Sequence, residues 1–535
     1  MSREQKRTLG WLGGISALIF VLLIFPNRTG AADRTMLSVF EVDEYAQYPN
    51  LLHMLQPGAT FYQSLRNFLI YLHYFYGYPF YFFSALAILP IRWLGGSSWS
   101  EHTRLLVTVL RQMINVLPML LTIGLLVDLK TRLKPTWKAV GLFILLATLP
   151  GVVSNQMWWH PDAIAALLMV LTFWLLGRDD LHFGRNFYLA GLACGVSVGM
   201  KYFGVYFALA IPIYLLWGGL TQRIGWVKVV VRAGAFIGLM SVGLVISNPL
   251  LLLPQERTAV ISAQLWQFRQ TTQGMLVHSP TAYFQNGLPM DFVLHYGGWM
   301  FLLVCIGGLV VGIFRGQQRW LNLMMLAWAV PMAWTINFSA TQRTLYFLPI
   351  ALLMVSGAIN WLPDQFTLRL PTGRAEWLRW IGLATVVLVL IGQAGIDVRT
   401  DVELVRSGLK REENSASLAF FKKLDTEYLS KLPAGSKLTI YRDWHVYVPE
   451  QASWRVEMNW NLANYDDMKA LNPDVILVER SNVVLFTDPT QADTVVAGSD
   501  LEARRLFYGD VLKGNMVGYR LLFANDFGFA LVRTP

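Results

Sequence analysis

The sequence predicts a polytopic all-α membrane protein of about eleven transmembrane helices, followed by a small α/β domain. Three observations predict it. First, the 535 residues are 54% hydrophobic and 15% charged, where a soluble domain is about 25% charged, and mean hydropathy is +0.42. Second, apolar runs near the roughly 20 residues needed to span a bilayer recur through residues 1–396 and then stop. Third, the charge balance reverses there: residues 1–396 hold 27 Lys/Arg and 14 Asp/Glu, residues 397–535 hold 17 and 20. The basic excess of the whole chain, +10, therefore belongs to the membrane part. It reads as topology and contact with lipid phosphates, and no nucleic-acid partner is expected.

The candidate spans are 9–25, 105–127, 139–156, 161–177, 187–200, 202–218, 229–247, 292–314, 320–336, 344–361 and 378–396. The first follows Arg3, Lys6 and Arg7 and precedes Gly30-Ala-Ala, a pattern resembling a signal peptide; its 17 residues are long for that, so it is read as an uncleaved helix. Segment 78–95 is apolar too, but charge argues against counting it. With 78–95 on the membrane surface, loops 1–8, 129–138, 178–186, 219–232, 315–319 and 362–379 share one side and carry 17 Lys/Arg in 64 residues, while the longer opposite loops carry fewer. The positive-inside rule then puts the N-terminus in the cytoplasm, and the loops 26–103 and 248–291 and the tail 397–535 outside. Segment 78–95 is expected to be interfacial or re-entrant, its aromatics at headgroup level. The expected location is a bacterial inner membrane or a plasma membrane.

The tail reads as a separate extracytoplasmic domain. Asn414–Leu432 has helical spacing, with Leu418, Phe421, Leu424 and Leu429 near one face. Segments 437–441, 474–478, 518–523 and 528–532 read as strands, and helix with strand in alternation suggests a small α/β fold. Cys194 and Cys305 both lie in apolar runs, so neither a disulfide framework nor a thiolate metal site is implied. No internal repeat is evident.

The residues that could carry chemistry cluster on the predicted outer face. Glu41, Asp43 and Glu44 precede Tyr45, Tyr48 and His53 in the first outer loop. A carboxylate there could take the proton of an attacking hydroxyl or amine; an acidic helix start, favoured by the dipole, is the alternative. His160-Pro161-Asp162 opens the fourth span, where Asp162 also reads as an ordinary cap. Trp158 and Trp159 fit an interface belt. Lys201, in Gly199-Met-Lys-Tyr-Phe-Gly204, is an ionisable group at membrane depth, or a snorkelling lysine. Arg343, in Thr341-Gln-Arg-Thr-Leu-Tyr346, could grip a phosphate with two donors or bind headgroups. His278 and His295 lie in or beside the second large loop, where a lone histidine is usually structural or exposed. No P-loop, His-Glu-x-x-His, dinucleotide fingerprint or nucleophile elbow is present, so nucleotide-driven transport and serine hydrolysis lack motif support.

Taken in order, these pieces resemble the GT-C membrane glycosyltransferases, nearest the protein O-mannosyltransferase and aminoarabinose transferase group. The landmarks are Asp43-Glu44 after the first span, Tyr76-Gly-Tyr-Pro79, Pro161-Asp162, Gly195-Val-Ser-Val-Gly-Met-Lys-Tyr202, Ser247-Asn-Pro249 and Arg343-Thr-Leu-Tyr-Phe-Leu-Pro349. The resemblance implies a GT-C fold over residues 1–396 and a sugar donor carried on polyprenyl or dolichyl phosphate. It implies transfer on the extracytoplasmic face, usually with inversion. By the same resemblance Asp43 is base or acceptor orienter and Glu44 the second acidic position. Lys201 and Arg343 serve the lipid phosphate, and Asp162, Tyr346 and His278 complete the expected substrate-binding set. Some relatives use a divalent cation, for which Glu41, Asp43 and Asp162 are the available ligands. The loop at 61–77 lacks the His-Pro-Pro-like signature of true protein mannosyltransferases, and the tail has no counterpart in them, so the acceptor (glycan, lipid or protein) stays open. A transporter or flippase of lipid-linked glycans is the alternative function, and a non-catalytic scaffold the third; a transporter should show inverted repeats and broken helices near mid-membrane.

Overall fold

A computed structural model describes residues 1–221, 223–273, 290–315, 318–339, 343–363, 374–458, 463–490 and 501–534. All eleven apolar runs are helical over most of their length. Among the described residues, seven helices are long and apolar enough to cross a membrane: Arg3–Asn27, Tyr78–Glu101, Thr103–Thr131, Tyr202–Leu220, Trp226–Ser247, Thr344–Trp361 and Glu376–Leu409; Thr136–Ala147 and Trp299–Phe314 are shorter apolar helices. The chain is an integral membrane protein.

The differences from the sequence reading have local causes. Tyr78–Glu101 has the length and apolarity to cross, so the argument for keeping it at the surface rests on loop charge alone. The run 139–156 is two helices, Thr136–Ala147 and Pro150–Asn155, because proline lacks the N–H an unbroken helix would need there. The run 292–314 breaks between Met290–Tyr296 and Trp299–Arg315, at Gly297 with φ of +92°, a conformation that favours glycine. The last apolar run belongs to one helix, Arg374–Leu409, which carries straight through the composition boundary at 396.

The tail holds a five-stranded sheet of β1 (Leu438–Arg442), β2 (Trp454–Met458), β3 (Val475–Glu479), β4 (Tyr519–Ala524) and β5 (Gly528–Arg533), in the order β2-β1-β3-β5-β4. β1 pairs in parallel with β2 and β3; β5 is antiparallel to β3 and β4. Alternate residues feed two cores, Ile476 and Val478 with Phe507 and Tyr508 on one face, Val475 and Leu477 with Phe420 and Leu424 on the other, as the two-residue period of a strand requires. β2 and the helices Tyr465–Leu471, Arg480–Thr487 and Leu501–Lys513 add to what periodicity indicated.

This domain is tied to the first loop. Thr35 Oγ1 donates to Val448 O (2.5 Å), Tyr447 Oη to Asp33 Oδ2 (2.8 Å), Arg442 Nη1 to Ser38 Oγ (2.9 Å), and Arg411 Nε to Thr29 Oγ1 (2.8 Å). The loop is thus held between bundle and sheet.

Candidate active site

Helix Val42–Met54 carries Asp43 and Glu44 in its first turn. Neighbours on a helix point about 100° apart, and the two carboxylates part company. Glu44 is fully buried. Its Oε1 accepts from Arg111 Nε at 2.8 Å and from the Trp159 amide at 2.6 Å, and its Oε2 accepts from Arg111 Nη2 at 2.5 Å. Arg111, equally buried, gives Nη1 to Asn27 O (2.8 Å) and Thr29 O (2.9 Å). One bidentate pair therefore clamps the first loop to the end of the first span and to the entry of the fourth. Trp159 is not in an interface belt: it is fully buried, donates Nε1 to Ser84 Oγ at 2.9 Å and stacks on Phe80.

Arg111 sits in a π-helical turn, Arg111–Val116, an insertion frequent at functional sites. The same turn supplies Asn115, whose Oδ1 accepts from the His160 amide (3.2 Å) while Nδ2 donates to His160 O (3.1 Å). A single irregular turn thus fixes both Glu44 and His160.

Asp43 faces the other way. Its side chain is 37% exposed. Tyr76 Oη donates to Asp43 Oδ2 at 3.1 Å, and His160 Nε2 lies 2.9 Å from Tyr76 Oη and 3.8 Å from Asp43 Oδ2. His160 Nδ1 lies 2.7 Å from Asp162 Oδ2, and Asp162 Oδ1 pairs with Lys201 Nζ. Lys201 in turn sits 4.5 Å from the centre of the Tyr346 ring, a cation–π contact. Trp158 lies flat on His160, 4.0 Å between centroids. Lys201, Asp162, His160, Tyr76 and Asp43 form a continuous chain from a half-buried cation to a solvent-accessible carboxylate. Burial, then Asp43 and Asp162, push the Tyr76 hydroxyl well above its usual range, so it stays a donor. Burial holds His73, hydrogen-bonded to Tyr81 Oη at 2.7 Å, down to about 4, hence neutral at pH 7.

Backbone contacts bring distant segments together here. Gly77 N donates to Met200 O (3.3 Å), Tyr78 N to Asn248 Oδ1 (3.2 Å), and Asn248 Nδ2 to Gly199 O (3.1 Å). A side chain at Gly77 would collide with the Gly199 carbonyl. Three landmarks, at residues 77–78, 199–200 and 248, interlock, and that contact brings the backbone next to Tyr76 against the backbone next to Lys201.

Of the residues singled out in the sequence, Asp43, Asp162, Lys201 and Tyr346 meet. Glu44 is turned into the clamp. Arg343 opens the helix Arg343–Tyr346, with its side chain outside the described residues, as is all of His278. Glu41 lies near Glu44, Arg111 and Arg411, its carboxyl pushed up to about 8 by burial and by Glu44. Among the described residues no group of three or more His, Cys, Asp or Glu side chains could hold a metal ion. Asp162 is already engaged by Lys201 and His160, so Glu41, Asp43 and Asp162 do not form a ligand set. His160, Tyr76 and Arg111 were not assigned roles from sequence. An arginine within the apolar run 105–127 was the signal for Arg111; nothing in the sequence pairs it with Glu44.

Residues 109–247 match the sequence model of the family described as dolichyl-phosphate-mannose-protein mannosyltransferase; the matched stretch includes Arg111, His160, Asp162 and Lys201. No curated protein matches the chain. Among solved structures, ArnT from Cupriavidus metallidurans bound to undecaprenyl phosphate is similar over 98% of this chain and 97% of its own, with a TM-score of 0.54 and 12% identity. Its apo structure gives 98% of both chains, a TM-score of 0.50 and 11% identity. The Archaeoglobus fulgidus oligosaccharyltransferase in the apo form is similar over 89% of this chain and 70% of its own, with a TM-score of 0.50 and 13% identity. The resemblance read from the ordered landmarks therefore holds at the level of the fold: the chain has the GT-C architecture.

Proposed function

We propose that this chain is a membrane glycosyltransferase that moves a hexosyl or pentosyl residue from a polyprenyl- or dolichyl-phosphate carrier to an acceptor on the extracytoplasmic face. The observation that carries the reading is the Asp43 carboxylate, accessible to solvent and held by Tyr76 and His160 beside the Lys201–Asp162 pair. The family match over residues 109–247, which holds His160, Asp162 and Lys201, and the lipid phosphate in the ArnT structure agree with it.

In this reading the acceptor hydroxyl or amine attacks the anomeric carbon and its proton passes to Asp43. A base of this kind contributes about 10²–10⁴-fold. The bond from the anomeric carbon to the phosphate oxygen breaks, and its electron pair leaves with the lipid phosphate. A direct displacement inverts the anomeric centre. The leaving phosphate gains charge, and Lys201 and Arg343 are the cations assigned to it; fixed donors at developing charge are worth about 3 kcal/mol each. Asp162 and His160 position Lys201 and Tyr76, and Glu44 with Arg111 holds the helix that carries Asp43.

The test is reconstitution into vesicles with labelled polyprenyl-phosphate sugars. Released polyprenyl phosphate together with glycosylated acceptor is the expected result, reduced at least a hundredfold in Asp43→Asn. Label that crosses the vesicle membrane with its sugar bond intact would identify a transporter instead. Normal turnover by Asp43→Asn would remove Asp43 from the base role.

A further inference from the structure

A polar cleft lies away from the Asp43 chain, where the first loop meets the C-terminal sheet. It encloses about 390 Å³ and is lined by Arg34, Tyr45, Arg442, Glu450, Gln451 and Trp454, among others. That size falls within the roughly 300–1,000 Å³ of small-molecule sites.

Its two arginines are unusual. Arg442 is 1% exposed. Its Nη1 donates to Ser38 Oγ (2.9 Å), Trp444 O (3.0 Å) and Val446 O (2.7 Å). Its Nε and Nη2 are buried with no acceptor in full hydrogen-bonding geometry; the Tyr45 side chain is the near polar neighbour and Asp33 the near acidic one, with the Tyr45 ring centre 5.8 Å from the guanidinium carbon. Arg34 flanks the same ring at 5.0 Å, and its Nε is likewise buried without an acceptor. Among the described residues no ion pair to either guanidinium lies within 4.0 Å; Glu450, exposed at the rim, is the acidic group of the lining. A buried guanidinium edge without acceptors is costly unless something fills it. A planar fork of N–H donors matches the two oxygens of a phosphate or carboxylate. Tyr45 stands two residues from Asp43 on the helix Val42–Met54, about 200° round it, so an acceptor with one group seated in the cleft would pass round this helix to present its nucleophile to the reacting carboxylate.

We propose that this cleft binds an oxyanion, phosphate or carboxylate, carried by the acceptor, with Arg442 and Arg34 gripping it across the Tyr45 ring. The assignment to the acceptor rests on the transferase reading; the oxyanion site does not.

The test uses the full chain in phosphatidylcholine nanodiscs and equilibrium dialysis of labelled inorganic phosphate. Arg34→Gln is the main variant, because Arg442 has structural bonds; Arg442→Lys is the second, and the melting temperature of each is checked against wild type. Wild type is expected to hold phosphate at least tenfold more tightly than Arg34→Gln, and Lys201→Met to keep this tenfold margin over Arg34→Gln, which separates the cleft from the donor site. Equal phosphate binding by wild type, Arg34→Gln and Arg442→Lys would overturn the proposal. Competition by acetate would support the site and extend it to carboxylates. Displacement of phosphate when phosphatidylglycerol replaces phosphatidylcholine would support it too and name a lipid headgroup as the source. With acceptor in hand, Arg34→Gln should raise its KM about tenfold while changing kcat less; an unchanged KM would overturn the acceptor assignment. Phosphate binding lost in Arg34→Gln, with no sugar transfer by wild type, would sink the transferase reading and leave the site standing.

Discussion

Replacing Arg111 by methionine strands a carboxylate that has no route to water. Glu44 is 0% exposed and has three donors, two of them from Arg111. In Arg111→Met it would keep the Trp159 amide alone. Breaking a buried pair by removing one partner costs about 3–5 kcal/mol, whereas replacing both partners by apolar groups is often neutral. Arg111→Met is therefore expected to lose about 3–5 kcal/mol. Glu44→Leu should lose a comparable amount, and the double variant far less than the sum, with a coupling of at least about 2 kcal/mol. At roughly 2 °C per kcal/mol for larger domains, each single variant should melt about 5–10 °C below wild type. The protein carries its own reporter. Cys194 and Cys305 are free and fully buried, so a fluorogenic maleimide reacts only as the bundle opens. The double variant should regain melting temperature without regaining turnover, because the helix start that places Asp43 loses its anchor. A single variant that melts with wild type, or a double variant whose loss equals the sum of the two, would refute the clamp.

Three further outcomes follow from the same geometry. Tyr76→Phe removes the hydroxyl that donates to Asp43; at about 1 kcal/mol for a neutral hydrogen bond, kcat should fall about fivefold with the donor KM little changed, as steady-state kinetics would show. Lys201→Met leaves Asp162 buried with His160 as its remaining partner. It should lower the melting temperature and raise the donor KM, and adding Asp162→Asn should restore the former but not the latter. The carboxyl of Glu41 is pushed from 4.5 to about 8, so the folded chain holds a proton that the unfolded chain has released. Its contribution to stability thus falls as pH rises from about 4.5 to about 8. Glu41→Gln should match wild type near pH 4 and exceed it at pH 8 by on the order of 1 kcal/mol, read from tryptophan fluorescence during thermal unfolding.

What the sequence determined was the set of helices and the side of the membrane where chemistry collects. Apolar runs of spanning length must become helices, since lipid offers no partner for an exposed backbone amide. That is why all eleven runs are helical over most of their length here, while breaks at Pro150 and Gly297 split two of them. The four strand segments were equally visible, because short apolar runs bounded by Gly, Pro, Asn or Asp mark buried strands. The order of landmarks carried the fold, although each landmark alone is a few ordinary residues.

What the tertiary structure decided was which neighbours act together. Asp43 and Glu44 are adjacent in sequence and indistinguishable in composition. The 100° turn between them sends one to solvent beside Tyr76 and His160, and the other into Arg111, 67 residues away. Lys201 and Asp162, 39 residues apart, become one ion pair, because the helix Asp162–Asp179 packs along the helix Arg185–Met200 and the start of one meets the end of the other. Periodicity records which face of an element is buried; it holds no record of which charges will meet when two buried faces pack. That is settled by backbone approach distances of a few ångströms, and those exist only in the folded chain.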